Sequence, residues 1–460
     1  MVCAELAPLA KTGGLADAVA GLSAALGRGG HDVRVLLPKY GPLPDGVEAL
    51  GPVTHRGAGH RYLELHLETE PVRVYLLDAP GLFGDGRIYT GDERDAARFI
   101  GLCEAAVRFG AATGWTPDVV HCHDWHAALV PAFAGGCPSV LTLHNIGYQG
   151  VFDARVLDAR TRAALASFVD ESGTPGTINF LRAGVQSADA LTTVSPTYAR
   201  EIQTSAFGMG LEDALRARAP DLVGILNGVD YSVWDPRVDP HIEFHYGIND
   251  VRSKERVKRA LCTQLGIAYT HAPLLGVVTR LAVQKGIDLL TAILPQLLER
   301  TTAALALLGT GDRRLERELR SIAQAAPERV SFTRGYDETL AHRILAGSDL
   351  VLVPSRYEPC GLTQMYALRY GSIPVVRATG GLADTIRHFD PGTGTGNGSV
   401  FEHADAQGLA WGIDEALAWL ADARARATLM RNAMSADFSW QKQVGRYIAL
   451  YQRVLASSRP

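Results

Sequence analysis

At 460 residues the chain is too long for one compact domain, and two or three domains is the ordinary division for this length. Hydrophobic residues make up 47% and charged residues 20%, and 45 Lys+Arg against 49 Asp+Glu leave a net charge of −4. That balance excludes a generally basic nucleic-acid surface, while 48 Gly and 23 Pro fit many tight turns rather than disorder or a fibrous repeat. The apolar runs are broken by Arg, Asp or Gly well short of the roughly 18 residues that a membrane-crossing helix needs. Met1 runs straight to Glu5 and Lys11 without the pattern of a signal peptide. Cys3, Cys103, Cys122, Cys137, Cys262 and Cys360 form no C-x-x-C pair and are too scattered for a disulfide framework. A cytoplasmic chain with reduced thiols is expected.

In chain order, the short MVCAEL start is expected to be a barely developed first strand ahead of the Lys11 loop. Gly14–Arg28 has apolar residues at 15, 19, 22 and 26, the spacing of one helical face, with Gly29–Gly30 as its stop. Val33–Leu37, Val72–Leu77, Val119–His121 and Val140–Leu143 read as buried parallel strands separated by helices. The alternation pauses at Trp234–Asn249, a stretch rich in Pro, Asp and His, and then resumes. Leu274–Thr279, Ala304–Leu308, Val330–Thr333, Leu350–Val353 and Ile373–Val376 are the strands of the second half. This pattern predicts an α/β protein of two doubly wound, Rossmann-like parallel-sheet domains. The first is expected over 1–240 and the second over 241–437, with a helix at 438–460. Open sheets of this kind bind ligands at the C-terminal ends of their strands, so the two halves are expected to face each other across a cleft.

The candidate chemistry falls at those strand ends. Lys11–Leu15 (KTGGL) offers two glycines, Gly13 and Gly14, a helix start and one full positive charge, all suited to an anion. It matches neither a P-loop nor a dinucleotide fingerprint. Thr379–Leu382 (TGGL) repeats the arrangement in the second half through Gly380 and Gly381. His121–His126 (HCHDWH) resembles a metal cluster, but its spacing fits no zinc motif and no other Cys/His group completes a set. A strand end there would aim Asp124 at a substrate instead, with structural caps as the alternative reading. His144 in Leu143–Gly147 and Asn227 in Asn227–Asp230 occupy similar positions, although a loop histidine and an Asn-Gly turn are the plainer readings. Arg280 and Lys285 in RLAVQKG could reach one pyrophosphate and balance charge on a leaving group, although a solvated helix start is the plainer reading. Glu358–Gln364 (EPCGLTQ) sets a carboxylate beside Cys360, Gly361 and Leu362 at a helix start. Cys360 reads as a small wall residue rather than a nucleophile.

Taken together, KTGGLADAV, HCHDWHAAL, LHNIGYQGVF, TTVSPTYAREI, LNGVDYSVWDP, RLAVQKGIDLL, VPSRYEPCGLTQ and TGGLADTI resemble the ADP-glucose-dependent α-1,4-glucan synthases, the bacterial glycogen and plant starch synthase family. The motifs run in family order along the whole chain. The resemblance implies a GT-B glycosyltransferase that retains configuration, needs no metal or cofactor, and acts on ADP-glucose and a glycogen-like α-glucan. Neither nucleic acid nor membrane is an expected partner. It implies that Lys11 binds the donor, that Asp124 and His144 lie at the sugar, and that Asn227 is a further cleft residue. Arg280 and Lys285 fall on the donor phosphates, Glu358 near the transferred glucose, and the Gly380–Gly381 backbone on the phosphates. Tyr336, after Gly335, lines the nucleotide pocket in this reading.

The chain departs from related retaining enzymes at Tyr366, where their E-x7-E pattern places a second glutamate. With no convincing covalent nucleophile, a front-side route is expected. The Trp234–Asn249 stretch is expected to be the hinge, with the final helix crossing back to the first domain. Two other readings remain open on the residues alone: a GT-B transferase using a UDP-sugar and a small acceptor, and a catalytically silent glucan-binding scaffold.

Overall fold

A computed structural model describes residues 1–43, 49–54, 61–66, 71–134, 136–170, 175–250 and 252–457. The chain divides into two compact α/β units, Met1–Gly228 with Trp440–Pro460, and Val229–Ser439. Among the described residues no helix is long and apolar enough to cross a membrane.

In the first unit the strands are β1 (Arg34–Pro38), β2 (Ala49–Thr54), β3 (Arg61–His66), β4 (Arg73–Asp78), β5 (Val120–His123), β6 (Ser139–Leu143), β7 (Val151–Asp153), β8 (Val169–Asp170), β9 (Thr177–Asn179), β10 (Ala190–Thr193) and β11 (Leu222–Gly224). They form one four-stranded group in the order β1-β4-β3-β2 and another in the order β11-β10-β6-β5. The expected first strand is reduced to Met1–Cys3, which joins the two groups. Val2 bridges both Leu36 of β1 and Cys122 of β5 in parallel. The sheet is not wholly parallel as predicted, because β3 runs antiparallel to both β2 and β4. The 67–72 connection is too short for a parallel crossover, which takes a dozen or more residues. A small antiparallel sheet, β7-β9-β8, also has no counterpart in the predicted pattern.

Helix Gly14–Arg28 forms at its predicted bounds and buries Leu15, Val19, Leu22 and Leu26. The final helix, Trp440–Ser457, belongs to this unit and buries Trp440, Tyr447, Leu450 and Val454. Its first residue lies so close to two backbones that a Cβ at Gly21 would stand 1.8 Å from Trp440 Nε1, and one at Gly228 2.5 Å from the ring.

The second unit holds β12 (Leu274–Val278), β13 (Ala304–Gly309), β14 (Val330–Arg334), β15 (Leu350–Val353), β16 (Ile373–Arg377) and β17 (Ser399–Phe401). All pair in parallel, in the order β14-β13-β12-β15-β16-β17. The order reverses between β12 and β15, which makes that crevice the place where a doubly wound sheet receives its ligand. β13 is buried along its full length, as a strand covered by helices on both faces must be.

The Trp234–Asn249 stretch is not a free hinge. Trp234 stacks between His342 (3.7 Å between centroids, 11°) and Tyr366 (3.9 Å, 4°). Asp239 accepts from His342 Nδ1 and from the Tyr370 hydroxyl, and the Tyr246 hydroxyl donates to Ala346 and Tyr370 carbonyls. The segment is fastened to the second unit, and the chain changes unit at Gly228–Val229 and Ser439–Trp440.

Candidate active site

In the first unit, Asp124 follows β5 and opens the short helix Asp124–Ala127. Its φ of +56° is left-handed, a conformation that costs a non-glycine residue about 1–3 kcal/mol and that collects at functional positions. The carboxylate Oδ1 accepts from the backbone N–H of His144 at 2.6 Å and of Asn145 at 3.4 Å. Two adjacent strand ends are thereby tied together. Burial pushes the Asp124 carboxyl up to about 7, against the pull of those two N–H groups. His144 is held a second time, through its ring, with Nε2 3.0 Å from Nδ1 of His123. Burial lowers His144 to about 3, so the ring is neutral at physiological pH.

The other two histidines of HCHDWH have partners of their own, although the His121 ring lies 4.2 Å from that of His123 between centroids. His121 lies between the Tyr451 hydroxyl and Thr142 Oγ1, and His126 stacks on Tyr89. Among the described residues no group of three or more His, Cys, Asp or Glu side chains is placed to hold a metal ion. Asn227 is buried, and its Oδ1 has no hydrogen-bond partner among the described residues. An acceptor left in that condition costs about 1–3 kcal/mol unless a ligand or water satisfies it.

The KTGGL loop differs from the simple anion cradle predicted. Its Thr12 N–H and hydroxyl donate to Glu5 at 2.6 and 2.7 Å, and its Gly13 N–H donates to Glu5 at 3.1 Å. Tyr89 adds a fourth donor to the same carboxylate. Glu5 therefore fills the first part of the cradle from within and shapes the loop. Lys11 Nζ lies 2.8 Å from Asp17 Oδ1. A Cβ built on Gly13 would meet nothing within 4 Å, so open space lies against the loop there. Gly14 is the first residue of the following helix.

In the second unit the predicted residues gather at the switch point. Lys285 ends a 3-10 turn after β12, and Gly286 follows at φ +68°, where a Cβ would stand 2.0 Å from the Pro354 carbonyl oxygen. That close approach brings Lys285 to the segment after β15. Its Nζ lies 2.6 Å from Glu358 Oε2, which also accepts from Ser355 Oγ at 2.8 Å. The structure thus pairs two residues that the sequence reading assigned to separate ends of the donor. Arg280 is exposed at the end of the same strand.

The Thr379–Gly381 turn packs directly on Glu358–Cys360. A Cβ on Gly380, at φ +44°, would stand 1.9 Å from the Glu358 carbonyl oxygen, and one on Gly381 2.1 Å from that of Cys360. The Gly381 N–H donates to the Glu358 and Pro359 carbonyls at 3.1 Å, so it holds the two turns together rather than pointing outward. Thr379 stands at the N-cap position of helix Gly380–Thr385. Cys360 is buried. Gly361 takes φ +71°, and Leu362 stands immediately before helix Thr363–Arg369. Gln364 ties this corner by donating to the Cys360 and Gly361 carbonyls. Tyr336 stands 72% exposed after Gly335 at the end of β14.

Sequence reasoning did not single out Glu5, His123 or Ser355. Glu5 carries a signal of its own, a carboxylate a few residues ahead of a Gly-Gly helix start. His123 lies inside the HCHDWH run, which does not mark its own role there, and Ser355 carries no signal, because the value of both lies in which strand end stands beside them.

A lysine and a carboxylate joined at the reversal of a doubly wound sheet mark a candidate ligand-binding site of an α/β enzyme. Residues 1–217 match the starch synthase catalytic domain family and residues 267–433 match glycosyl transferases group 1. The chain is 43% identical to a glycogen synthase of Anaeromyxobacter dehalogenans, with 100% of this chain and 99% of that protein covered. It is 40% identical to one of Marinobacter nauticus, with coverage of 99% and 97%. The catalytic domain of starch synthase IV from Arabidopsis thaliana, bound to ADP and acarbose, superposes with a TM-score of 0.90 at 35% identity, covering 99% of this chain and 98% of that one. The chain belongs to the glycogen and starch synthase family and is a glycosyltransferase of that family.

Proposed function

We propose that this enzyme transfers the glucosyl group of ADP-glucose to the non-reducing 4-hydroxyl of an α-1,4-glucan, with retention of configuration. The observation that carries the reading is the Lys285–Glu358–Ser355 cluster at the switch point. Lys285, Arg280 and Lys11 balance the charge that builds on the departing diphosphate, so the reading calls for no metal or cofactor. Glu358 holds donor hydroxyls beside Lys285. Asp124 and His144 orient the glucosyl ring, and the Asn227 carbonyl oxygen offers an unfilled acceptor. Tyr336 presents an exposed ring for the nucleotide base.

In the transfer, the bond from C1 to the diphosphate oxygen breaks and the acceptor O4 bonds to C1 on the same face. The acceptor proton passes to the departing phosphate oxygen, and ADP leaves. Where the enzyme works is inferred as the cytoplasm, beside its polymer. A coupled assay with glycogen as acceptor tests the reading by comparing ADP-glucose with UDP-glucose. Turnover confined to UDP-glucose, or glycogen binding without turnover on either donor, would refute it.

A further inference from the structure

The end of β5 carries two histidines that the reaction above does not use, and the structure treats them differently. His121 is bonded at both ring nitrogens, with Nδ1 2.7 Å from the Tyr451 hydroxyl and Nε2 2.6 Å from Thr142 Oγ1. His123 is bonded at one. Its Nδ1 lies 3.0 Å from His144 Nε2, while its own Nε2 is buried with no hydrogen-bond partner among the described residues. The His123 side chain is 1% exposed.

A hydrogen bond between two imidazole nitrogens holds one proton, so the partners take opposite roles across it. Were His123 the acceptor, its proton would sit on Nε2 as a buried N–H with no acceptor, the rarer kind of orphan in folded proteins. As the donor, His123 carries its proton on Nδ1 and leaves only a bare nitrogen unmatched. Burial holds both rings neutral, with His123 well below its usual range and His144 at about 3. A neutral His144 whose Nε2 accepts must carry its own proton on Nδ1.

We propose that His123 is a positioning residue that donates through Nδ1–H to His144 Nε2 and so fixes His144 as the Nδ1–H tautomer, with that N–H as a donor to a glucosyl hydroxyl. The inference rests on the placement of His144 at the sugar in the reading above. With Asp124 holding its backbone N–H, His144 is then set in both position and proton. The arrangement follows the logic of ligating histidines, whose second nitrogen is fixed by an outer partner.

The test uses the full chain labelled with 15N-histidine. Two-dimensional NMR reads the tautomer, and the His144 signals are assigned by their loss in His144→Asn. The wild type is expected to show a protonated Nδ1 and a bare Nε2 at His144. His123→Asn keeps an amide donor near the Nδ1 position, so it is expected to keep the tautomer and most of kcat. His123→Leu fills the volume without donating. It is expected to give mixed tautomers and a kcat lower by about 10–100-fold, with KM for glycogen unchanged. A wild-type His144 protonated on Nε2 would overturn the proposal, as would an unchanged tautomer in a folded His123→Leu variant. A tautomer change with wild-type kcat would uphold the link between the rings and refute the contact of His144 with the sugar. Should the leucine variant not fold, the wild-type and asparagine spectra decide the matter.

Discussion

Lys285 Nζ lies 2.6 Å from Glu358 Oε2, and only 18% and 8% of the two side chains is exposed. A pair so shielded is costly to halve, because the remaining charge is left without its partner. Lys285→Ala and Glu358→Gln should each lower kcat by about 10²–10³-fold. The double variant should lose much less than the product of the two, since each single change already breaks the same contact. Steady-state kinetics on the three proteins checks this, and strictly multiplicative losses would separate the roles of the two residues. Arg280 is exposed, so Arg280→Ala should lower kcat while leaving thermal stability within about 0.5 kcal/mol.

Asp124 sets the pH behaviour of the first unit. Its carboxyl titrates near 7 when folded, raised by burial, against about 3.9 in an unfolded chain. Between those values the folded state binds the extra proton, so this group's contribution to stability falls as pH rises through 7. Activity should run the other way, because the ionised carboxylate is the better acceptor for the His144 and Asn145 N–H groups. The kcat/KM profile is expected to climb through an apparent pKa near 7, and Asp124→Asn should abolish that limb. His126 and His144 act at the acid side. Both are lowered to about 3 by burial, so the stability they allow is complete above about 6.5 and is lost as pH falls toward 3.

Two glycines in matched motifs should respond oppositely to the same change. Gly380→Ala places a methyl at a left-handed φ against the Glu358 carbonyl, and is expected to destabilise the second unit and abolish turnover together. Gly13 is extended and faces open space, so Gly13→Ala should leave the melting temperature unchanged. A raised KM for the donor in that variant would show that ligand fills the space. An unaltered KM would remove the loop from the donor site.

Much of this architecture can be read from residue order. Helix Gly14–Arg28 and strand Leu350–Val353 are local patterns, and periodicity locates them to the residue. Strands β2 and β3 are not among the predicted strands, and the antiparallel direction of β3 shows only in its pairing with β2 and β4. The placement of Lys285, Glu358 and Gly380 at strand ends was legible, but their mutual contact was not. That contact follows from Gly286 pressing on Pro354 and Gly380 on Glu358, approaches between segments distant in sequence. Tyr366 shows the same limit. Its difference from a glutamate was plain, while its purpose, stacking on Trp234, required the fold.

Trp440 offers a stability test on a side chain to which no catalytic role is given, although its ring packs on Gly228, the neighbour of Asn227. Its ring fills the space over Gly21 and Gly228, and Trp440→Ala should cost about 3–5 kcal/mol. Chemical denaturation is the measurement, and a shift under about 1 kcal/mol would mean that the helix docks without it.

The first unit is assembled from two pieces of chain that flank the whole of the second. The order of synthesis places all of Val229–Ser439 ahead of the helix that begins at Trp440, so the first unit cannot be completed until the second has been made. Until that helix docks, Gly21, Gly228 and the His121 ring lack the cover that Trp440 and Tyr451 give them. Chaperone capture and premature termination should be felt most in the first unit, although it is made first.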